Sequence, residues 1–309
     1  MHRRRRACGR SLLTPVAVLL AAAALAAGVY ATAAPAADPA GHSALTTTGT
    51  VPPANVKPPT GARRAIAAAG ETVVLGVPAY GWTDGCAPTS VGMVVGYYDG
   101  HGFPDLVVGD ASSQAANPAV SQMIASHGTV SDPRHYEDYA LPKDSGGAIL
   151  ADKSAAPAGD EHVDDSVADF MHTSRSAEGL AYGWSYTSMA GPAFVAYVRS
   201  REPGVTASYR DLSYGLSLTF ATLQAEIDAG RPLILSVDSS GRDGVTDHAV
   251  ACVGYRETAG YPEYACWDTW STALRWQQFR GLSTSYDWGV YGGTSLSLTA
   301  SPSPSPTPS

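Results

Sequence analysis

The chain has 309 residues, with 20 basic and 28 acidic side chains and a formal net charge of −8. This length is compatible with one or two domains. The sequence has no basic stripe, which excludes nucleic acid and anionic membranes as partners, because a phosphate-binding face requires Lys and Arg.

The N-terminus has the pattern of an export signal. Arg3–Arg6 and Arg10 precede an apolar run from Leu12 to Tyr30, which ends at the small residues Ala31–Ala33. This pattern predicts a signal peptide over residues 1–33, cleavage near Ala33 and a secreted protein. The alternative is an uncleaved membrane anchor, since about 20 apolar residues span a bilayer. The alanine-rich run and its small-residue exit favour cleavage, so we expect no stable membrane insertion afterwards. The remaining chain has 15 basic and 28 acidic residues, a net charge of −13.

Two further segments are too poor in large apolar side chains to form a core. Residues 34–70 are rich in Ala, Pro and Thr and are predicted to be a disordered linker or a short pro-region. Residues 299–309 form a Ser/Pro tail. Aromatic residues occur throughout residues 71–298, which we interpret as one domain.

Within this domain the apolar spacing changes from helical to alternating. Glu71–Pro78 is predicted to be a strand, and four helices follow. These are Cys86–Tyr98 with Pro88 in its first turn, a helix capped by Asp164–Ser166, Gly191–Arg201, and Thr222–Ala229 within the segment Phe220–Ala229. The last part of the domain has three predicted strands, Leu233–Val237, Ala249–Val253 and Tyr264–Trp267. A helix-rich first half before a sheet-rich second half predicts the α+β class.

Three cysteines remain after the predicted signal peptide, and Cys86 has the setting of a nucleophile. It follows Gly85 at the predicted start of a helix. The helix dipole stabilises a thiolate there, and such a cysteine can have a pKa of roughly 3.5–7.5 beside a protonated histidine. The alternative for this residue is a buried, apolar cysteine with no chemical role.

The other two cysteines suggest a register for the last two predicted strands. If Cys252 lies opposite Cys266 in an antiparallel hairpin, Asp268 lies diagonally across from His248. A diagonal pair is about 7–8 Å apart at Cα, within reach of two side chains that lean together. One register therefore allows a Cys252–Cys266 disulfide and a His248–Asp268 pair. The alternative is that both cysteines are reduced core residues.

The order Cys, His, Asp along the chain resembles papain-like cysteine peptidases, and most closely the family C-39-like group in its stand-alone secreted form. The resemblance is carried by Val77–Trp82, Gly85–Ser90, Gly96–Asp99, Ala168–Met171, His248–Val250, Gly254–Tyr255 and Asp268–Trp270. It implies the papain-like fold and a thiol-dependent hydrolysis of peptide bonds in extracellular peptides or proteins, with no cofactor. It also implies that Cys86 is the nucleophile, that His248 is the base and that Asp268 orients the imidazole.

The sequence departs from that family at the oxyanion site. The family's glutamine, six residues before the cysteine, is replaced here by Tyr80. The Tyr80 hydroxyl or the Trp82 indole N–H is therefore the expected second donor, beside the Cys86 N–H, and both residues are candidates to line a substrate cleft, with Trp82 the better one. The alternatives are a non-catalytic peptide-binding pseudoenzyme, or an amidase or transferase acting on cell-wall peptides. No metal site is expected, because the acidic run 160–165 does not match a calcium loop.

Overall fold

The computed structural model describes residues 44–45, 70–126, 163–173, 180, 183–241 and 244–300. The predicted signal peptide lies outside these residues, as do most of segment 34–70 and the tail beyond residue 300. No helix in the described ranges has the length and apolar character needed to cross a bilayer.

The described elements alternate between helices and strands before the chain becomes mainly strand. The helices are α1 (Cys86–Asp99), α2 (Pro118–Ile124), α3 (Val167–Phe170), α4 (Ala190–Arg201), preceded by the 3-10 turn Thr187–Met189, and α5 (Phe220–Asp228). The strands are β1 (Ala44–Leu45), β2 (Glu71–Val73), β3 (Ser185–Tyr186), β4 (Val205–Ser213), β5 (Leu233–Asp238), β6 (His248–Thr258), β7 (Tyr261–Trp267), β8 (Arg275–Gln278) and β9 (Gly289–Ala300).

One antiparallel sheet forms the centre of the domain. Its strand order is β4-β9-β5-β6-β7-β8, and β2 pairs with part of β6. Side chains of β6 alternate between the two faces. Ala249, Ala251 and Val253 pack with α1 and α4, whereas Val250 and Cys252 pack with α5. Helices therefore cover both faces, and the predicted α+β class, with a helical first half and a sheet-rich second half, is confirmed.

The predicted hairpin register is the observed one. Strand β6 pairs with β7 so that Cys252 lies opposite Cys266 and Ala251 lies opposite Trp267, with a bulge beyond Cys252. The predicted helices are present, although the one capped by Ser166 has only four residues. No sequence pattern predicted α2, β1, β3, β4, β8 or β9.

A second, two-stranded sheet joins the N-terminal segment to the domain. Strand β1 pairs antiparallel with β3, with Ala44 opposite Tyr186 and Leu45 opposite Ser185. The linker or pro-region predicted over residues 34–70 thus contains two residues with extended, paired backbone.

Candidate active site

Cys86 is the first residue of α1, and its side chain is fully buried. The turn before it requires glycine, because a Cβ on Gly85 would lie 2.8 Å from Pro88 Cγ and 3.0 Å from the Gly183 carbonyl oxygen. The Cys86 Sγ accepts a hydrogen bond of 3.0 Å from the main-chain N–H of Ala249. This donor and the N-terminal end of the helix dipole both favour a negative charge on the sulfur.

Ala249 is bound to α1 through both of its main-chain polar groups. Its N–H donates to Cys86, and its carbonyl oxygen accepts a hydrogen bond of 3.1 Å from the Ser90 hydroxyl. Cys86 and Ser90 are four residues apart and share one face of the helix. The β6–β7 pairing ends at Ala251–Trp267, so Ala249 lies beyond it. These two bonds hold the start of β6 against α1.

His248, the residue before Ala249, has a defined ring orientation. Its Nε2 lies 2.9 Å from the main-chain carbonyl oxygen of Asp268. A carbonyl oxygen only accepts hydrogen bonds, so Nε2 carries the proton in the neutral ring and Nδ1 is the basic nitrogen. The ring stacks on Trp270 at 3.8 Å with an interplanar angle of 11°, and Trp288 meets it edge-on. The face of an indole ring stabilises an imidazolium by about 0.5–2 kcal/mol.

The side chain of Asp268 has different partners from those that the sequence predicts. Its Oδ1 accepts from the main-chain N–H groups of Trp270 (3.0 Å) and Ser271 (2.8 Å), and its Oδ2 lies 3.4 Å from Arg275 Nε. Burial raises the pKa of Asp268, while Ser271 and Arg275 act in the opposite direction. Because β7 ends at Trp267, the carboxylate folds over the following turn and the main-chain carbonyl meets His248. That Asp268 orients the imidazole stays a prediction, with the carbonyl as the contacting group.

The structure contradicts the predicted oxyanion role of Tyr80. The Tyr80 hydroxyl donates to the carbonyl oxygen of Ala111 and lies against Gly96, where an added Cβ would be 2.1 Å from it. Gly96 is ten residues beyond Cys86 on α1, which corresponds to about 15 Å along the helix. The phenol is buried in the core, so it is not available to an oxyanion at Cys86.

Trp82 lies beside the turn that precedes Cys86. Its main-chain N–H donates to the carbonyl oxygen of Thr269 at 2.7 Å, which joins the segment before Cys86 to the segment after Asp268. A Cβ added to Gly183 would lie 3.1 Å from Trp82 Cζ2 and 3.1 Å from Gly85 Cα, so the half-buried ring lies beside this turn. Its role as an oxyanion donor or cleft residue stays a prediction.

Cys252 and Cys266 lie opposite each other, and both are free, buried thiols. The predicted disulfide is therefore not formed in the structure, although the register it requires is present. Burial raises the pKa of Cys252 to about 12 and that of Cys266 well above its usual value. Neither thiol is suited to act as a thiolate in the folded protein.

Two polar residues that were not predicted, Ser90 and Gln114, support this site. Ser90 binds Ala249, and its i+4 spacing from Cys86 was the available signal. The Gln114 side chain binds Gly81 and Thr83, shortly before Cys86, and no local pattern indicated that contact. Within the described ranges, no group of three His, Cys, Asp or Glu side chains is arranged to hold a metal ion. Residues 160–162 of the acidic run lie outside those ranges.

A comparison with protein families matches residues 74–295 to the family described as Peptidase_C39 like. The chain belongs to that family. The match covers more than half of the sequence and includes Cys86, His248 and Asp268. The C39-like domain is thus a member of a cysteine-peptidase family with a mixed helix and antiparallel-sheet fold, as the resemblance implied.

Comparisons with individual proteins add a distant similarity. Among solved structures, the chain is similar to digestive procathepsin L 3 of Tenebrio molitor larval midgut, with 11% sequence identity and a TM-score of 0.30. The similarity covers 80% of this chain and 76% of that chain. No curated protein matches the C39-like chain.

Proposed function

We propose that this protein is a secreted, thiol-dependent peptidase that hydrolyses peptide bonds through Cys86, His248 and Asp268. The observation that supports this most directly is the hydrogen bond from Ala249 N–H to Cys86 Sγ. It attaches the helix that carries the thiol to the strand that begins with the histidine, in a chain that belongs to a peptidase family.

The proposed reaction follows from the chemistry of these groups. The His248 Nδ1 takes the thiol proton, and the Cys86 thiolate attacks the carbonyl carbon of the scissile amide. The oxyanion accepts from the main-chain N–H of Cys86 in the first turn of α1. As the C–N bond breaks, His248 gives its proton to the leaving amine. Water, deprotonated by His248, then hydrolyses the thioester, which releases the acid and returns the proton to Cys86.

The position of β1 supports a peptide substrate. Strand β3 begins two residues after Gly183, whose backbone contacts Gly85 beside the nucleophile. The edge of β3 already pairs with the extended residues Ala44–Leu45. Main-chain pairing at such an edge is a general way of holding an extended peptide. The same pairing supports a pro-region, rather than a simple linker, over residues 34–70.

The extracellular location is part of the proposal and rests on the N-terminal sequence. The basic cluster, the apolar run and the exit at Ala31–Ala33 support export and cleavage near Ala33. The chemistry above requires no cofactor. We also propose that Cys252 and Cys266, which lie opposite each other, form a disulfide outside the cell by thiol–disulfide exchange, in which a small-molecule disulfide is reduced to two thiols.

A non-catalytic peptide-binding protein is the second candidate. Two observations favour it: Cys86 and His248 are fully buried, and the Tyr80 hydroxyl does not take over the oxyanion role of the family's glutamine. In another hydrolase, the loss of one oxyanion donor costs about 2.7–4 kcal/mol of transition-state stabilisation.

The deciding experiment is the pH dependence of Cys86 alkylation by iodoacetamide in protein that begins after Ala33. We compare the wild type with His248→Ala and follow the modified residue by mass spectrometry. Fast labelling below pH 7 that is lost in the variant supports a thiolate–imidazolium pair and justifies a peptide-substrate screen. Labelling that rises only near the unperturbed thiol value of about 8.5 in both proteins, or no labelling at any pH, rules out the peptidase and favours the peptide-binding protein.

A further inference from the structure

The side chain of Gln114 binds the segment that precedes the nucleophile. Its Oε1 accepts from the main-chain N–H of Gly81 at 2.7 Å, and its Nε2 donates to the Thr83 hydroxyl at 2.7 Å. A second Nε2 bond, of 3.2 Å, goes to Ser121 on α2. One amide group therefore holds the residues on both sides of Trp82 and anchors them to a neighbouring helix.

These bonds continue to the first turn of α1. The main-chain N–H of Thr83 donates to the Thr89 hydroxyl oxygen at 2.9 Å, and the Thr89 hydroxyl donates to the carbonyl oxygen of Gly85 at 2.6 Å. Thr89 is three residues after Cys86. The hydrogen bonds thus run from Gln114 through Thr83 and Thr89 to the residue that directly precedes the nucleophile.

The same segment contains a strained residue that needs such support. Asp84 has a φ of 53°, in the left-handed region that non-glycine residues rarely adopt, and it is buried. A strained backbone persists only where its surroundings fix it. The Gln114 and Thr89 bonds fix Thr83 on one side of Asp84. On the other side, the Gly183 backbone packs against Gly85.

We propose that Gln114 is a positioning residue for the Cys86 nucleophile. It keeps Gly81 and Thr83 in place, so that the left-handed turn at Asp84 presents Cys86 at the start of α1 with its sulfur against Ala249 N–H. This inference rests on the proposed function only in taking Cys86 as the nucleophile. The Gln114 amide hydrogens are directed to Thr83 and Ser121, so Gln114 acts through the loop and not on the substrate.

The chain offers a matched control on the same loop. The Asn117 side chain donates to the carbonyl oxygens of Val108 and Asp110 and accepts from Ala119 N–H, with no bond to the nucleophile segment. Asn117→Ala therefore removes a comparable set of loop hydrogen bonds. Gln114→Glu is the conservative variant, because an ionised carboxylate still accepts from Gly81 but no longer donates to Thr83.

The experiment measures the rate of Cys86 alkylation from pH 5 to 9 in the wild type and the three variants. Gln114→Ala is expected to slow labelling at pH 6 by about 10-fold, the scale of one or two lost hydrogen bonds, and to move the profile to higher pH. Gln114→Glu should fall between Gln114→Ala and the wild type, and Asn117→Ala should keep the wild-type profile. An unchanged profile in Gln114→Ala, or an equal shift in Asn117→Ala, overturns the proposal.

Amide hydrogen exchange separates this inference from the proposed function. If wild-type Cys86 shows no His248-dependent labelling at low pH, the proposed peptidase fails. Faster exchange at Gly81 and Thr83 in Gln114→Ala, but not in Asn117→Ala, would still support a positioning role at this turn. Unchanged exchange at both amides refutes that role.

Discussion

Replacing Asp268 separates two ways in which this residue can orient His248. In the structure the main-chain carbonyl oxygen meets His248 Nε2 at 2.9 Å, while the carboxylate caps the turn at Trp270 and Ser271. Asp268→Asn keeps the carbonyl and an Oδ1 acceptor, and it removes only the charge facing Arg275. We therefore expect a loss of less than about 10-fold in Cys86 labelling at pH 6, and in peptide hydrolysis once a substrate is known.

Asp268→Ala is the stronger perturbation. It removes the hydrogen bonds that Oδ1 accepts from Trp270 N, Ser271 N and Ser271 Oγ, each contributing about 1 kcal/mol. If the turn relaxes and the carbonyl moves, up to about 3 kcal/mol is lost, which corresponds to roughly 100-fold in rate. The predicted order of labelling rates is therefore wild type, Asp268→Asn, Asp268→Ala, with His248→Ala the slowest.

Orientation of His248 by the main-chain carbonyl and orientation by the carboxylate predict very different losses of rate in Asp268→Asn. Where a carboxylate fixes the histidine tautomer, changing Asp to Asn costs about 10⁴ in kcat, because the amide favours the wrong tautomer. Nitrogen NMR shifts of His248 report the tautomer directly. A 1,000-fold loss in Asp268→Asn, with the proton moved from Nε2 to Nδ1, would refute orientation by the carbonyl.

Three further predictions follow from buried or paired groups. Burial raises the pKa of Asp84 to about 7, so the folded chain keeps a proton that the unfolded chain releases near 3.8. Through this group, the free energy of unfolding should fall by up to about 4 kcal/mol between pH 4 and pH 7. Asparagine tolerates a positive φ, so Asp84→Asn should keep the turn and remove this pH-dependent decrease. Urea titrations at both pH values measure it. After treatment with a reductant, the folded protein at pH 8 should label only at Cys86, and Cys252 and Cys266 should label after unfolding. Mass spectrometry of the labelled protein checks this, and without reductant the proposed Cys252–Cys266 disulfide should block both thiols even after unfolding. Leu45→Pro removes an N–H from β1 and should weaken its pairing with β3. Cys86 should then be labelled several-fold faster than in a control variant with proline at Ala54. Equal rates in the two variants would show that β1 does not restrict access of the reagent to Cys86.

The elements that the sequence predicted share strong local patterns. Helix α1 has apolar residues at helical spacing and Pro88 in its first turn, and β5 to β7 are short apolar runs separated by turn residues. The β6–β7 register followed from placing Cys252 opposite Cys266, and the structure has that register.

Strand β9 was missed because its sequence is typical of a loop, with Gly292, Gly293 and several Ser and Thr residues. The structure explains these glycines. A Cβ on Gly292 would lie 2.7 Å from the Leu212 carbonyl oxygen, and one on Gly293 would lie 2.8 Å from that of Ile234. Neighbouring strands approach too closely for a side chain. Strand β4 is largely exposed, so it lacks the alternating apolar pattern by which strands are predicted.

The sequence predicted that Asp268 lies near His248, but not which atoms of the two residues are in contact. The strand register placed Asp268 near His248. However, β7 ends one residue earlier, and Thr269 adopts a φ of 63°, so the carbonyl and not the carboxylate meets the ring. Tyr80 was misplaced because it stands at the position of the family's oxyanion glutamine, whereas its hydroxyl binds the carbonyl oxygen of Ala111 in the core. Gln114 was missed because its contacts with Gly81 and Thr83 span more than 30 residues.

The position of β9 has a consequence for when the site forms. This C-terminal strand lies inside the sheet, between β4 and β5, and the residue just before it, Trp288, packs against the His248 ring. Cys86 and Ala249, which join the two halves of the site, are 163 residues apart. Contacts of such long range form late in folding. A chain still being synthesised therefore lacks the contact between Cys86 and Ala249, and the proposed site is complete only once β9 has joined the sheet.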